Sequence, residues 1–194
     1  FLIISLEHII GAIIFLPLLF KGWKEISSLN QRGWISVLWI SICGGILGTF
    51  FYTKALSYVN HIDLSVVVLL QKFQPVFAIA LAAVILKEKI TSKFLILAVM
   101  AIVGGYLVTF GTSSMKTWDD KTIIAALLSL LAAFSWGSST VLGKHALKRL
   151  SFKTVTSLRL TITGAITFFI LFSTDQYEAI EKMTLSNWAY IILI

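Results

Sequence analysis

The chain has 194 residues, of which 58% are hydrophobic and only 13% charged, and its mean hydropathy is +0.92. A soluble domain of this length seldom exceeds about half apolar residues, so the composition argues against a soluble enzyme or binding module. A single cysteine, Cys43, leaves no internal disulfide framework and no Cys/His metal spacing.

In chain order, apolar runs fall at 1–20, 34–57, 63–86, 94–111, 123–143 and 154–173, and a seventh opens near 187. Their lengths match the ~20 residues that carry an α-helix across a hydrocarbon core of about 30 Å. Barrel strands would be about half as long and strictly alternating, and lipid offers an open backbone no hydrogen-bond partners. The expected fold class is therefore all-α, a polytopic membrane helix bundle. The opening FLIISLEH has no basic n-region and is no signal peptide. The closing WAYIILI reads as the start of another helix, so a piece of a longer protein is expected.

The connections alternate in charge. Lys21, Lys24 and Arg32, then Lys87, Lys89 and Lys93, then Lys144, Lys148, Arg149 and Lys153 fall on one side. The other side has only Lys116, Lys121 and Lys182, offset by Asp119, Asp120, Asp175, Glu178 and Glu181. The positive-inside rule assigns the basic loops 21–33, 87–93 and 144–153 to the cytoplasm, in a cell (plasma or inner) membrane. That placement accounts for most of the formal net charge of +7, so no nucleic-acid partner is expected.

The first and sixth segments are alike. SLEHIIGAIIFLPLLF (5–20) lies on SLRLTITGAITFFILF (157–172) without a gap, pairing Ser5 with Ser157, Leu6 with Leu158, Ile10 with Ile162 and Leu19 with Leu171. Two residues of slack bring WISVLWI (34–40) onto WAYIILI (188–194). By loop charge the first copy runs out-to-in and the second in-to-out, which makes the repeats inverted. Inverted repeats are a signature of secondary transporters whose substrate site lies near the bilayer midplane.

YTKALSYV (52–59) and QPVFAIALAAVILKEKIT (74–91) resemble the EamA-domain family of the drug/metabolite transporter (DMT) superfamily. Tyr52 and Ala55-Leu56 close one helix, Pro75 lies within the next, and Leu86-Lys87-Glu88 ends it. Ser135-Trp136-Gly137 opens a repeat, and Arg159 stands on the helix that follows. The resemblance implies that the chain spans about helices 2–8 of ten. Residues 1–111 would be a first repeat lacking its first helix, 112–122 the non-cytoplasmic loop, and 123–194 an incomplete second repeat. It also implies a central cavity between the repeats. Glu7-His8 stands where the second repeat has Arg159-Leu160, so those positions are expected to differ in role.

Within 63–86, LLQKFQPVF sets a lysine, two glutamines and a proline among apolar residues. Projected at 100° per residue, Gln71, Lys72, Gln74 and Pro75 share an arc with Ala78 and Ala82. Phe73, Phe77, Val66, Val84 and Leu70 face away, towards lipid or another helix. Pro75 frees the Gln71 carbonyl, which in mid-membrane must be buried in protein or wet. Lys72 either snorkels towards the headgroups or faces the cavity, where Glu7 is a candidate partner because an unpaired charge there costs a few kcal/mol. Arg159 suits a substrate carboxylate or phosphate, or else anchors at the interface. Tyr52 and Trp136 complete the expected cavity residues, and a protonatable Glu7 would couple transport to a proton.

The expected function is a secondary transporter (exporter, exchanger or facilitator) of small metabolites, amino acids or drugs by alternating access. The alternative is an intramembrane enzyme or flippase acting on lipid-linked substrates, but no paired carboxylates, HExxH or Ser/His/Asp set appears at helical spacing. No cofactor or metal is expected. The partners are a small-molecule substrate and the lipid bilayer, with a homodimer left open.

Overall fold

A computed structural model of the chain describes residues 2–110, 119–174, 180 and 183–193. Among them every regular element is helical: α1 (Leu2–Lys21), α2 (Trp23–Ser27), α3 (Gln31–Trp39), a π-helical stretch (Ile40–Leu47), α4 (Gly48–Leu56), α5 (Leu64–Gln71), α6 (Gln74–Ile85), α7 (Ser92–Phe110), α8 (Asp120–Ala146), α9 (Phe152–Ser173) and α10 (Leu185–Leu193). Five spans are long and apolar enough to cross a membrane: Leu2–Lys21, Gln31–Leu56, Leu64–Ile85, Asp120–Ala146 and Phe152–Ser173. The protein is a multi-pass membrane helix bundle.

The chain divides into two compact units, residues 1–46 with 142–194 and residues 47–141. In the first, α1 and α9 run antiparallel. Gly22 abuts Thr154, Gly11 abuts Leu160, and Gly164 abuts the backbone of His8. At Gly164 an added Cβ would lie 3.4 Å from the His8 carbonyl carbon and oxygen, so the helices approach backbone to backbone. Ile26, Val37, Ile40, Ala146, Leu150, Val155 and Leu158 form an apolar cluster beside them. Ser36 Oγ and His145 Nδ1, 2.9 Å apart, join α3 to the end of α8.

The α1–α9 pair carries an apolar groove of about 300 Å³. Its lining follows the register in which 5–20 matches 157–172: Ile9 with Thr161, Ala12 with Gly164, Ile13 with Ala165, and Leu16 with Phe168. The two wider pairings of this unit also correspond, since α3 packs on α9 and α10 packs on α1.

Beside the apolar cluster, much of the interior is small or polar. Ser5, Ser41, Ser157, Thr163 and Thr167 are fully buried, whereas Ile13, Ile14, Phe20 and Phe169 are exposed. Lipid is as apolar as leucine, so helices associate through close packing and polar contacts rather than by hiding oil. The buried hydroxyls mostly bond back along their own helices: Ser41 to the Val37 carbonyl, Ser157 to Lys153 and Thr167 to Thr163, each at 2.8 or 2.9 Å. Thr163 instead reaches across to the Ser41 carbonyl at 3.0 Å, beside Gly45 in the π-helical stretch.

The polar end of this unit is tied by a short helix that periodicity did not predict. Glu25 of α2 accepts the Ser151 N–H at 2.7 Å, at the N-cap of α9. The bond satisfies an orphan donor and sets an anion at the helix's positive end. That N–H, with the Thr154 and Ser151 hydroxyls, holds the Glu25 carboxyl below the usual range.

In the second unit, Ala55, Ile62, Val66, Val67, Ala125 and Ala126 form the core. The 57–63 turn is tied to the start of α8. Thr122 Oγ1 lies 2.9 Å from the His61 carbonyl, and His61 Nδ1 lies 3.4 Å from Asp119 Oδ2. The expected single helix over 63–86 is instead two, α5 and α6, separated by Lys72 and Phe73. Pro75 sits in the first turn of α6, where its missing N–H costs least. The face expected to be oily meets other helices: Phe73 packs on Gly105 of α7, and Phe77 meets the edge of Phe134 at 5.8 Å.

Two outcomes follow from these contacts. An added Cβ at Gly45 would lie 2.7 Å from Thr163 Cγ2, so Gly45→Ala should destabilise by about 1–3 kcal/mol. Thr163→Ala in addition should restore part of the loss, read as thermal unfolding in detergent. Because the Glu25 carboxyl is held low in the folded state, its contribution is present above the ordinary carboxylate range and lost as pH falls through the folded value. The gap in unfolding temperature between wild type and Glu25→Gln should therefore close on acidification.

Candidate functional site

Each unit presents its own set of the residues singled out from sequence. In the second unit the set centres on the break between α5 and α6. Helix α5 ends at Gln71, Lys72 caps it in a helical conformation, and α6 resumes at Gln74. Lys72 and Phe73 bond back to Leu69 and Leu70. The amide of residue 75 would ordinarily serve the Gln71 carbonyl, and proline has none. Gln71 and Gln74 are half-buried, whereas Lys72 and Pro75 are exposed.

Helix α8 closes on this break. At Gly137 an added Cβ would lie 2.9 Å from the Gln74 carbonyl oxygen and 3.1 Å from the Ala78 nitrogen, so α6 and α8 touch backbone to backbone. One turn on, Thr140 gives its hydroxyl proton to the Trp136 carbonyl at 2.9 Å. That leaves its oxygen to accept from Gln74 Nε2 at 3.5 Å.

The half-buried rings of Tyr52 and Trp136 lie 5.7 Å apart at 57°. Gly48 makes room for them: a Cβ there would stand 2.5 Å from Trp136 Nε1. Tyr52, Trp136, Gln74 and the break thus belong to one unit and are joined through α8. Sequence reasoning missed Thr140 and the placing role of Gly48. Thr140 stands four residues after Trp136, the spacing of one helical face, which is the signal that could have found it.

In the first unit the set lies between α1 and α9. His8 is buried, and its Nδ1 lies 2.8 Å from the Ile4 carbonyl oxygen. A carbonyl only accepts, so Nδ1 carries the proton and Nε2 is the free acceptor. Glu7 precedes His8 in α1, and Arg159 stands on α9. Arg159 Nε and Ser5 Oγ are buried and meet no hydrogen-bond partner among the described residues. Glu7 is half-buried. The structure thus gathers Glu7, His8 and Arg159 in the first unit, and Lys72 with the glutamines, Pro75 and the aromatic pair in the second. Among the described residues no group of His, Cys, Asp and Glu could hold a metal ion.

Chemically, the second set offers neutral amides, a hydroxyl, flat aromatic faces and an exposed lysine, while the first offers one acid, one imidazole and one guanidinium. A model of the EamA-like transporter family matches residues 1–110 and 123–194. The riboflavin transporter ImpX of Fusobacterium nucleatum is 42% identical over 166 residues, covering 85% of this chain and 56% of that protein. A riboflavin transporter of Brucella anthropi is 22% identical over 189 residues, covering 97% of this chain and 62% of that one. The chain therefore spans about six-tenths of the length of these curated relatives. No solved structure matches.

The helix break yields a prediction. Pro75→Ala returns an N–H to the register of the Gln71 carbonyl and removes the ring that disfavours a continuous helix. Unfolding temperature in detergent should hold or rise as the break heals; a clear fall would show instead that the packing around α8 depends on the break.

Proposed function

The chain belongs to the EamA-like transporter family, and from that premise we propose that the protein is a secondary carrier of riboflavin, or of a flavin with the same ring system, working by alternating access. The observation that carries the substrate class is the 42% identity over 85% of the chain to a protein named for riboflavin transport. Riboflavin is a flat three-ring heterocycle with a polar edge and a polyhydroxyl side chain, and it is neutral. The Tyr52 and Trp136 rings suit stacking on such a ring. Gln71, Gln74 and Thr140 supply neutral donors and acceptors for its hydroxyls.

The membrane is the cell membrane, with loops 21–33, 87–93 and 144–153 on the cytoplasmic side, in keeping with their basic charge. Glu7, an acid half-buried within a span, is the residue through which a proton would couple to transport. Lys72, exposed at the helix break, is a substrate or headgroup contact.

Radiolabelled riboflavin uptake by the full-length protein in proteoliposomes tests the reading. Uptake should be saturable, should leave the substrate chemically unchanged, and should lose affinity several-fold in Trp136→Ala. Absence of riboflavin uptake, with another metabolite carried instead, would overturn the substrate class. Under an imposed proton gradient, Glu7→Gln should abolish the gradient's effect. Wild-type uptake indifferent to the gradient, with Glu7→Gln intact, would refute coupling through this residue.

A further inference from the structure

In the first unit, one sequence register governs three separate contacts. The groove between α1 and α9 is walled by positions that correspond across the repeats: Ile9 and Thr161, Ala12 and Gly164, Ile13 and Ala165, and Leu16 and Phe168. The close approach keeps this register to within one residue: Gly11 lies under Leu160, and His8, the counterpart of Leu160, lies against Gly164, the residue after Thr163, the counterpart of Gly11. The flanking pairings exchange in the same way, α3 on α9 and α10 on α1. Such a contact is isologous, as between the halves of a two-fold dimer. The local two-fold axis passes through the α1–α9 crossing.

We propose that the α1–α9 crossing is the stationary pivot of the transport cycle and keeps one packing whether the site opens inward or outward. This rests on the carrier reading given above. In a carrier built from inverted repeats, one open state becomes the other when the two repeats exchange conformations. A contact that is already symmetric in one state is unchanged by that exchange, because each partner takes up the geometry its counterpart had. A contact without this symmetry must break or shift. The crossing suits the part: its approach is backbone to backbone at Gly164, and its groove walls are almost wholly apolar. Opposing charges at corresponding sites, Glu7 and Arg159, are not among those walls.

The test is to tie the crossing shut. Gly11→Cys with Leu160→Cys sets two thiols at the approach and removes the leucine that a new side chain would meet. Ala12→Cys with Ala165→Cys sets a second pair on the groove walls. Each is made in an otherwise cysteine-free full-length carrier, cross-linked with a short bifunctional thiol reagent, and assayed for riboflavin uptake in proteoliposomes. The pivot predicts that cross-linked carrier retains at least half the uptake of its uncross-linked parent, and that riboflavin leaves the cross-linking rate unchanged. Loss of uptake by ten-fold or more on cross-linking either pair overturns it, as does a cross-linking rate that riboflavin changes several-fold. A wild-type carrier that takes up no riboflavin refutes the substrate reading instead, and the pivot is then judged on whichever solute the protein carries.

Discussion

Hydrocarbon offers a peptide group no donor and no acceptor, and most of this structure answers that one constraint. Every regular element among the described residues is a helix, since only a helix satisfies its backbone from within a single span. Most buried serines and threonines obey the same rule, giving their protons to carbonyls three or four residues back, as Ser129 does to Ala125 at 2.8 Å. The exceptions stand out against this regularity. Pro75 leaves the Gln71 carbonyl without its helical donor, and the chain breaks there into α5 and α6. The span Gln31–Leu56 widens to π geometry at Ile40–Leu47. Local departures of this kind are frequent at functional sites, and these two lie on spans that carry Gln71, Gln74 and Tyr52.

The same solvent removes the usual reason for a core. Large side chains gain little by leaving lipid, so many stay outside, and the closest helix approaches are made through what is small. Gly11, Gly45, Gly137 and Gly164 are contact points because their missing side chains let backbones or partner side chains approach to van der Waals distance. Gly48 does the same for an aromatic ring, accommodating the indole of Trp136. Glycine count is thus a poor guide to flexibility here. Gly104, with open space around it, and Gly105, pressed by Phe73, are neighbours in sequence with opposite roles.

Local rules made the spans legible, and long-range contacts set the limit. Run length and the alternating charge of the connections located the membrane helices to within a few residues. Helix α2 escaped because five residues carry no periodicity, and its anchor, the bond from Ser151 N–H to Glu25, joins distant parts of the chain. The projection of 63–86 as one helix grouped the polar residues of LLQKFQPVF. It assumed a continuous 100° advance, which the interruption at Lys72 and Phe73 removes. Tyr52 and Trp136 were singled out separately, each from its own motif, and no spacing rule could pair their rings. The match of 5–20 with 157–172 was weak evidence by itself, because apolar sequences agree easily by chance. It gains weight from the groove, where the same register sorts the lining residues into partners.

That register also separates scaffold from chemistry. Where α1 and α9 wall their groove, counterparts are alike in kind: isoleucine against threonine, alanine against glycine, leucine against phenylalanine. Within two residues of Ile9 and Thr161 they are opposed: Glu7 corresponds to Arg159, and His8 to Leu160. In the carrier reading proposed above, a symmetric crossing would leave the two open states equivalent in packing. For a solute without that symmetry, a fully symmetric site would offer two equivalent orientations and select neither. An acid and a base at counterpart positions break that equivalence, while the glycine and alanine positions of the crossing keep the backbones close.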